Sequence, residues 1–170
     1  VYSQYKFYDM QKDDIVLDIG ANVGAFSIFI SNTVKQVYAV EPALPNVLKH
    51  NIKLNNIKNI TVFEKALGDG ELNIEWRGKH KISGNSLAEI IELCGGHIDV
   101  LKCDCEGGEW CIKSPELKGI RRIEMEVHNF EGKHNFEDYL KMLSDAGFLY
   151  EYQITSKQIM LIHAESSAVF

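Results

Sequence analysis

Apolar positions follow two alternating patterns along the chain. Short runs rich in β-branched residues, typical of buried strands, alternate with stretches in which apolar residues recur every three or four positions, as in amphipathic helices. The predicted strands cover residues 15–19, 36–40, 60–65, 71–76, 98–103, 120–127, 149–154 and 158–163. This alternation predicts βα units and a mostly parallel sheet.

The same spacing predicts four helices. Their apolar faces are Phe26, Phe29, Ile30 and Val34; Leu44, Val47, Leu48 and Ile52; the apolar positions of residues 86–93; and Phe136, Tyr139, Leu140 and Leu143. Gly68-Asp69-Gly70 signals a hairpin, and the short loop between the last two strands makes them antiparallel. We predict an α/β fold, a Rossmann-like three-layer sandwich around a mostly parallel seven-stranded sheet with an antiparallel C-terminal strand.

Length and composition predict the broad class of protein. The 170 residues, 45% of them hydrophobic, indicate a single domain over residues 1–170, with residues 1–14 as a short N-terminal segment. The aromatic side chains of that segment form a cap on the core or a small lid, and they are Tyr2, Tyr5, Phe7 and Tyr8. No apolar run reaches the ~20 residues of a membrane span and no signal peptide core is visible, which predicts a soluble, cytoplasmic protein without a membrane partner.

Charge and cysteine spacing argue against two classes of partner. The net charge of −6 argues against binding to nucleic acid. The four cysteines lack the paired spacing of a zinc site, so they predict reduced thiols and no metal. The oligomeric state is not predicted by either pattern or composition.

A glycine-rich turn, Gly20-Ala21-Asn22-Val23-Gly24, joins the first predicted strand to the first helix. Glycines there let the backbone turn tightly and let a ligand approach it, and the helix N-terminus offers N–H donors. The pattern G-x-G-x-x-G of dinucleotide sites is missing, which disfavours a pyrophosphate ligand. A turn that serves folding alone is the alternative.

An acidic residue, Glu41, ends the second predicted strand and is followed by Pro42. A carboxylate at that place can accept hydrogen bonds from both ribose hydroxyls of a nucleoside. A solvated glutamate before a helix-starting proline is the alternative. Together with the glycine-rich turn, Glu41 predicts a cofactor that contains a nucleoside.

Four segments give the chain a resemblance to a known family. They are Asp18-Ile-Gly-Ala-Asn-Val-Gly24, Val40-Glu41-Pro42, Ala66-Leu67-Gly68-Asp69 and Leu101-Lys102-Cys103-Asp104-Cys105-Glu106-Gly107-Gly108-Glu109. In this order they resemble the class I S-adenosylmethionine-dependent methyltransferases, FkbM-like branch, from about Ile15 to His163. The last segment is the most specific, although Cys103 and Cys105 stand where aliphatic residues are usual.

The resemblance implies S-adenosylmethionine as cofactor and names residues for each part of it. Residues implied at the methionine end are Asp18, Gly20, Ala21, Asn22 and Gly24. The resemblance also implies Glu41 with Pro42 at the ribose and Asp69 near the adenine amine. Asp104, which follows a buried strand, is implied as a further cofactor-binding residue. For Asp69 a role in a hairpin turn is an equal alternative.

Three side chains are predicted to act on the methyl acceptor: Asp104, Glu106 and His128. All three follow or end strands and should reach the crevice at the carboxyl edge of the sheet. Each of the three is a candidate base for the proton of an acceptor hydroxyl, and His128 is the natural first candidate because its ordinary pKa lies near neutrality. A structural role is an equal alternative for His128. For Glu109 the alternative is a position in the first turn of a helix, where its charge complements the helix dipole. A metal ion is a further alternative, with ligands from Asp104, Glu106, Glu126, His128 and Asn129.

The predicted function is transfer of the methyl group of S-adenosylmethionine to a small-molecule acceptor, on a hydroxyl oxygen. Two other functions stay open at this point. One is a module that binds S-adenosylmethionine without catalysis, since the segment before the first strand is short. The other is a nicotinamide-dependent oxidoreductase, for which both the G-x-G-x-x-G pattern and a larger substrate domain are missing.

Overall fold

The structure is a computed structural model that describes residues 9–75, 78–130 and 132–167. In chain order its strands and helices are β1 (Ile15–Ile19), α1 (Ala25–Ile30), β2 (Gln36–Val40), α2 (Pro45–Leu54), β3 (Ile60–Phe63), β4 (Ala66–Leu67), β5 (Glu71–Ile74), β6 (His80–Asn85), α3 (Leu87–Leu93), β7 (Val100–Cys103), β8 (Arg122–His128), α4 (Phe136–Asp145), β9 (Phe148–Ser156) and β10 (Ile159–Ser166). Two short 3-10 helices, Gly108–Cys111 and Ser114–Leu117, lie between β7 and β8. The predicted aromatic cap or lid of Tyr2, Tyr5, Phe7 and Tyr8 lies outside the described residues.

Seven strands form one sheet in the order β3-β2-β1-β7-β8-β10-β9. Strands β3, β2, β1, β7 and β8 run parallel, and β10 is antiparallel to both of its neighbours. The predicted Rossmann-like fold, a mostly parallel sheet with an antiparallel C-terminal strand, is confirmed. Strands β2 and β3 are added on one side of β1, and β7 and β8 on its other side. This change of side opens a crevice at the carboxyl ends of β1 and β7.

Helices cover both faces of this sheet because neighbouring residues of a strand point to opposite faces. Val16 packs on Phe26 of α1. The next residue, Leu17, belongs to the core on the other face, together with Leu87 of α3 and Leu143 of α4. A helix of only six residues such as α1 is stabilised by this burial rather than by its intrinsic propensity. Among the described residues, none of the helices has the length and apolar character that crossing a membrane requires.

The predicted hairpin at residues 68–70 is wrong. Strands β4 and β5 flank it without pairing with each other, and both pair instead with β6 in a separate three-stranded sheet. Strand β6 has one large apolar residue, Ile82, so hydrophobic alternation does not reveal it. Helix α1 also differs from its prediction, because it ends at Ile30 and leaves Phe29 56% exposed.

Gly20 lets the ends of β1 and β7 approach each other closely. Its φ angle is +76°, in the left-handed region that favours glycine, and a Cβ there would lie 1.7 Å from the backbone oxygen of Asp104. The Asp104 N–H donates to the Ile19 carbonyl over 3.0 Å across the same junction. Any side chain at residue 20 would therefore force the two strand ends apart.

Gly20→Ala should lower the free energy of unfolding by the ~1–2 kcal/mol of a left-handed alanine plus a further ~1–3 kcal/mol for the backbone clash. Gly119→Ala is the matched control, because Gly119 has a φ of +87° and open space where a Cβ would lie. Urea denaturation of both variants measures the difference. Equal losses would show that the close approach of β1 and β7 imposes no constraint.

Candidate cofactor and acceptor site

A cavity of about 950 Å³ lies at the carboxyl ends of the parallel strands. The predicted site residues that line it are Gly20, Ala21, Asn22, Glu41, Pro42, Asp69, Asp104, Glu106 and His128. Asp18 and Gly24, which the resemblance also placed at the cofactor, are absent from its lining. The structure thus brings most of the predicted residues to one cavity and puts two of them behind its wall.

Glu41 is 5% exposed and holds two segments of the cavity wall together. Its Oε2 accepts a hydrogen bond from the Asn22 N–H at 2.8 Å. Its Oε1 accepts from the N–H groups of Ala43 and Leu44 at 2.6 and 2.8 Å, at the start of α2. The alternative of a solvated glutamate is therefore wrong, and this carboxylate both shapes the wall and faces the cavity.

Four of the five backbone N–H groups of the glycine-rich turn are already used inside the protein. Those of Gly20 and Ala21 both donate to the Val40 carbonyl, and that of Gly24 donates to the Ala21 carbonyl. With the Asn22 N–H bonded to Glu41, these four groups are not directed at a ligand. The ligand donors expected at the N-terminus of α1 stay a prediction, and the four bonded groups do not contribute to a pyrophosphate site.

Asp18 is fully buried behind the cavity. The hydroxyl of Ser27 in α1 donates to its Oδ2 at 2.6 Å, and the ammonium of Lys102 lies 3.2 Å from its Oδ1. Gly24 serves packing, because a Cβ there would lie 2.5 Å from Cδ1 of Leu48 in α2. Neither residue is placed to touch a ligand in the cavity directly.

Lys102 lines the cavity although the sequence analysis assigned it no role. Its side chain is 5% exposed, and its Nζ lies 3.2 Å from the Gly20 carbonyl oxygen and 3.9 Å from Oδ2 of Asp104. Burial lowers the pKa of Lys102, but the charges of Asp18 and Asp104 outweigh that effect, so its pKa is raised and it stays protonated.

Glu109 organises the loop that follows β7. Its carboxylate is fully buried and accepts hydrogen bonds from the N–H groups of Cys105 at 2.7 Å and Gly107 at 2.9 Å. Between those two residues Glu106 adopts a φ of +60°, a strained angle for a side chain that is not glycine. Glu109 lies in the first turn of a 3-10 helix, as the alternative for it predicted, and its carboxylate also holds the backbone on both sides of Glu106.

His128 is buried among carboxylates. Its Nδ1 lies 3.4 Å from Glu109, and its Nε2 lies 3.3 Å from Glu126 and 3.7 Å from Glu106. Burial alone would lower the pKa of His128. The hydrogen bond to Glu109 and the charges of Glu109, Glu106 and Asp104 outweigh burial and raise the pKa from 6.5 to about 9. An imidazolium has no lone pair for a proton, so this geometry disfavours the base role predicted for His128.

Aromatic rings line the acceptor side of the cavity. Trp110 stacks on His134 with centroids 4.3 Å apart, and Phe130 stacks on His128 at 5.0 Å. Asn129 shapes this wall, because its side chain donates to the His134 carbonyl at 2.7 Å and accepts from the His134 N–H at 3.3 Å. Phe130 lines the cavity and stays 48% exposed.

Two groups of side chains in the described residues bring possible metal ligands within 4.8 Å of one another. They are Asp104 with Glu106 and His128, and Cys103 with Cys105 and Glu109. In both groups the ligand atoms already have partners inside the protein, as the ion pairs of His128 and the loop bonds of Glu109 show.

Comparisons with known proteins agree on the family. The model of the methyltransferase FkbM domain matches residues 18–150. A probable cobalt-precorrin-6B C(15)-methyltransferase (decarboxylating) of Methanocaldococcus jannaschii is 25% identical over 137 residues, 79% of this chain and 73% of that protein. A putative methyltransferase from Streptococcus mutans, solved in complex with SAH (S-adenosylhomocysteine), has a TM-score of 0.64 at 14% identity and covers 92% of this chain and 90% of that one.

A further relative corrects the prediction about partners. An uncharacterized RNA methyltransferase of Streptococcus pyogenes serotype M3 is 42% identical over 55 residues, which are 31% of this chain and 12% of that protein. The prediction of a small-molecule acceptor and no nucleic acid partner is therefore wrong. Its physical error was to use a whole-chain charge of −6, whereas an acceptor is recognised by local surface and by whatever segments flank the domain.

Sequence, fold and comparisons give one answer about the family. The family match spans well over half of the chain, and the sheet order and cavity fit it. The chain belongs to the FkbM methyltransferase domain family, within the class I S-adenosylmethionine-dependent methyltransferases.

Proposed function

We propose that this chain binds S-adenosylmethionine and transfers its methyl group to a hydroxyl oxygen. One observation carries the proposal: a single cavity is lined by Glu41 and Asp104, which we assign to the cofactor end, and by Glu106 and His128, whose side chains come within 4.8 Å of Asp104. The first pair suits an adenosyl amino acid. The second pair supplies a carboxylate and a fixed positive charge beside it.

The donors and acceptors of the cofactor end fit an adenosyl amino acid better than a dinucleotide. A carboxylate has about four acceptor positions, and Glu41 uses three of them on backbone N–H groups, so it retains capacity for a ribose hydroxyl. Asp104 and the Gly20 carbonyl offer acceptors to an ammonium group. Four N–H groups of the turn that could otherwise bind phosphates are used internally.

S-adenosylmethionine, when bound, supplies a methyl group that is already electrophilic because it is carried by a sulfonium. The chain therefore has to orient an acceptor oxygen and accept its proton, a contribution of ~10²–10⁴-fold in typical enzymes. We assign the proton-accepting role to Glu106, which faces the cavity with its side chain 65% exposed. His128, as an imidazolium 3.7 Å away, orients the Glu106 carboxylate.

The molecule that carries the acceptor hydroxyl is left to experiment. Relatives are named for a corrin precursor and for RNA, which differ greatly in size and charge. The exposed Phe130 and the stacked Trp110 suit a flat or apolar surface next to the reacting hydroxyl. This feature is compatible with an aromatic base as well as with a small ring.

Methyl-labelled S-adenosylmethionine, offered with fractions of hydroxylated small molecules, total RNA and ribosomal protein, tests the proposed reaction. We expect label in one fraction as an alkali-stable ether. Glu106→Gln should lower kcat by about 10²-fold, since the proton acceptor is lost, and leave the Kd for S-adenosylhomocysteine unchanged. Label confined to nitrogen or carbon, or full activity in Glu106→Gln, would contradict the proposal.

Glu41→Ala should weaken S-adenosylhomocysteine binding about thirtyfold, or ~2 kcal/mol, by removing the ribose acceptor. The variant should also melt at a lower temperature, because three backbone N–H groups lose their acceptor. Glu64→Ala is the control: Glu64 follows β3 and is 55% exposed in an ion pair with Lys49. Calorimetry that finds the same Kd in both variants would remove Glu41 from the cofactor site.

The raised pKa of His128 predicts a pH dependence of stability. The folded protein holds the proton up to a pKa of about 9, against 6.5 for an ordinary histidine, so the stabilisation is complete below pH 6.5 and is lost as pH rises through 9. Urea denaturation at pH 6 and pH 9.5 should show a larger loss in the wild type than in His128→Gln. The same loss in both proteins would mean that His128 titrates normally.

A further inference from the structure

Lys102 places an ammonium group inside the protein, where charge is costly. Its side chain is 5% exposed, and an ammonium removed from water costs several kcal/mol unless nearby groups compensate it. The compensation comes from Asp18 and the Gly20 carbonyl, both at 3.2 Å, and from Asp104 at 3.9 Å. A buried lysine with such partners is a fixed structural charge.

The three partners belong to separate segments of the site. Asp18 is the register partner of Lys102 on the adjacent strand β1 and is anchored to α1 by Ser27. Gly20 lies in the turn after β1, and Asp104 follows the end of β7. One ammonium therefore connects a carboxylate behind the cavity wall to two acceptors on the wall.

Those two wall acceptors suit one part of the cofactor. The Gly20 carbonyl accepts a hydrogen bond from Lys102, while Asp104 lies at ion-pair distance from it. A carbonyl oxygen and a carboxylate each have more than one lone pair, so both can also accept from a ligand. Both face the cavity at the junction of β1 and β7. An amino acid with a protonated α-amino group is the ligand that such a pair of acceptors binds best.

We propose that Lys102 is a positioning residue for the methionine end of S-adenosylmethionine. It orients the Gly20 carbonyl and the Asp104 carboxylate so that they receive the α-amino group. This inference rests on the proposed function, since it requires that the cavity bind the cofactor. It adds a residue that acts through its neighbours and has no part in the transfer of the methyl group.

The competing explanation is that the Asp18–Lys102 ion pair only fastens β1 to β7. Two ligands separate the explanations: S-adenosylhomocysteine, and 5′-methylthioadenosine, which has the adenosine and sulfur but lacks the amino acid group. Calorimetry on the full chain compares wild type with Lys102→Met. We expect at least tenfold weaker binding of S-adenosylhomocysteine and less than about threefold weaker binding of methylthioadenosine.

A charge-balanced variant keeps the test decisive if Lys102→Met is unstable. Lys102→Met alone leaves Asp18 as an unpaired buried carboxylate, which is strongly destabilising, whereas Asp18→Asn/Lys102→Met removes both charges and keeps an acceptor for Ser27. The double variant should melt closer to the wild type. Its binding should still be impaired for S-adenosylhomocysteine and nearly normal for methylthioadenosine.

Each result supports or overturns the inference. Selective loss of S-adenosylhomocysteine binding supports it. Equal losses for both ligands in the double variant, or full recovery of S-adenosylhomocysteine affinity together with stability, would show that Lys102 is merely structural. A wild type that binds neither ligand would overturn the proposed function as well, so the two failures are distinguishable.

Discussion

The ion pair between Asp18 and Lys102 joins the two central strands at the point where the sheet opens into its crevice. A charged pair in this position is stable only if each partner is held by further bonds, and the hydroxyl of Ser27 and the carbonyl of Gly20 supply them. The glycine-rich turn, helix α1 and the end of β7 are therefore fixed relative to one another. The cavity owes its shape to this arrangement, together with the close contact that only glycine permits at residue 20.

A second buried charge centre organises the acceptor end. Glu109 bonds to the loop after β7 and faces His128 on β8, so that the strained Glu106 is presented to the cavity. The two centres, one around Lys102 and one around His128, are cations placed among carboxylates. Between them they hold two acidic residues at the cavity, Asp104 and Glu106, whereas Glu41 is held separately by backbone N–H groups.

Much of this arrangement could be predicted from the sequence because two of its features are local. They are the turn between a strand and a helix, and an acidic residue at the end of a strand. Glycine spacing and strand periodicity predicted the fold and placed Gly20, Glu41 and Asp104 at one cavity. Lys102 escaped notice because a single polar residue in an apolar strand has no periodic signal, and its two nearest partners, Gly20 and Asp18, lie 82 and 84 residues away in the chain. The protonation of His128 depends on Glu109, Glu106 and Asp104, which come from the segment after β7 rather than from its own strand. The net charge of the chain gave a wrong answer about partners.

Isothermal calorimetry with S-adenosylhomocysteine and NADH tests the central claim most directly, namely that this cavity holds an adenosyl amino acid. The structure places an acidic acceptor and buried cations there, and it uses four N–H groups of the glycine-rich turn internally. We expect micromolar binding of S-adenosylhomocysteine and no detectable binding of NADH. Binding of NADH, or of neither compound, would contradict this account of the site.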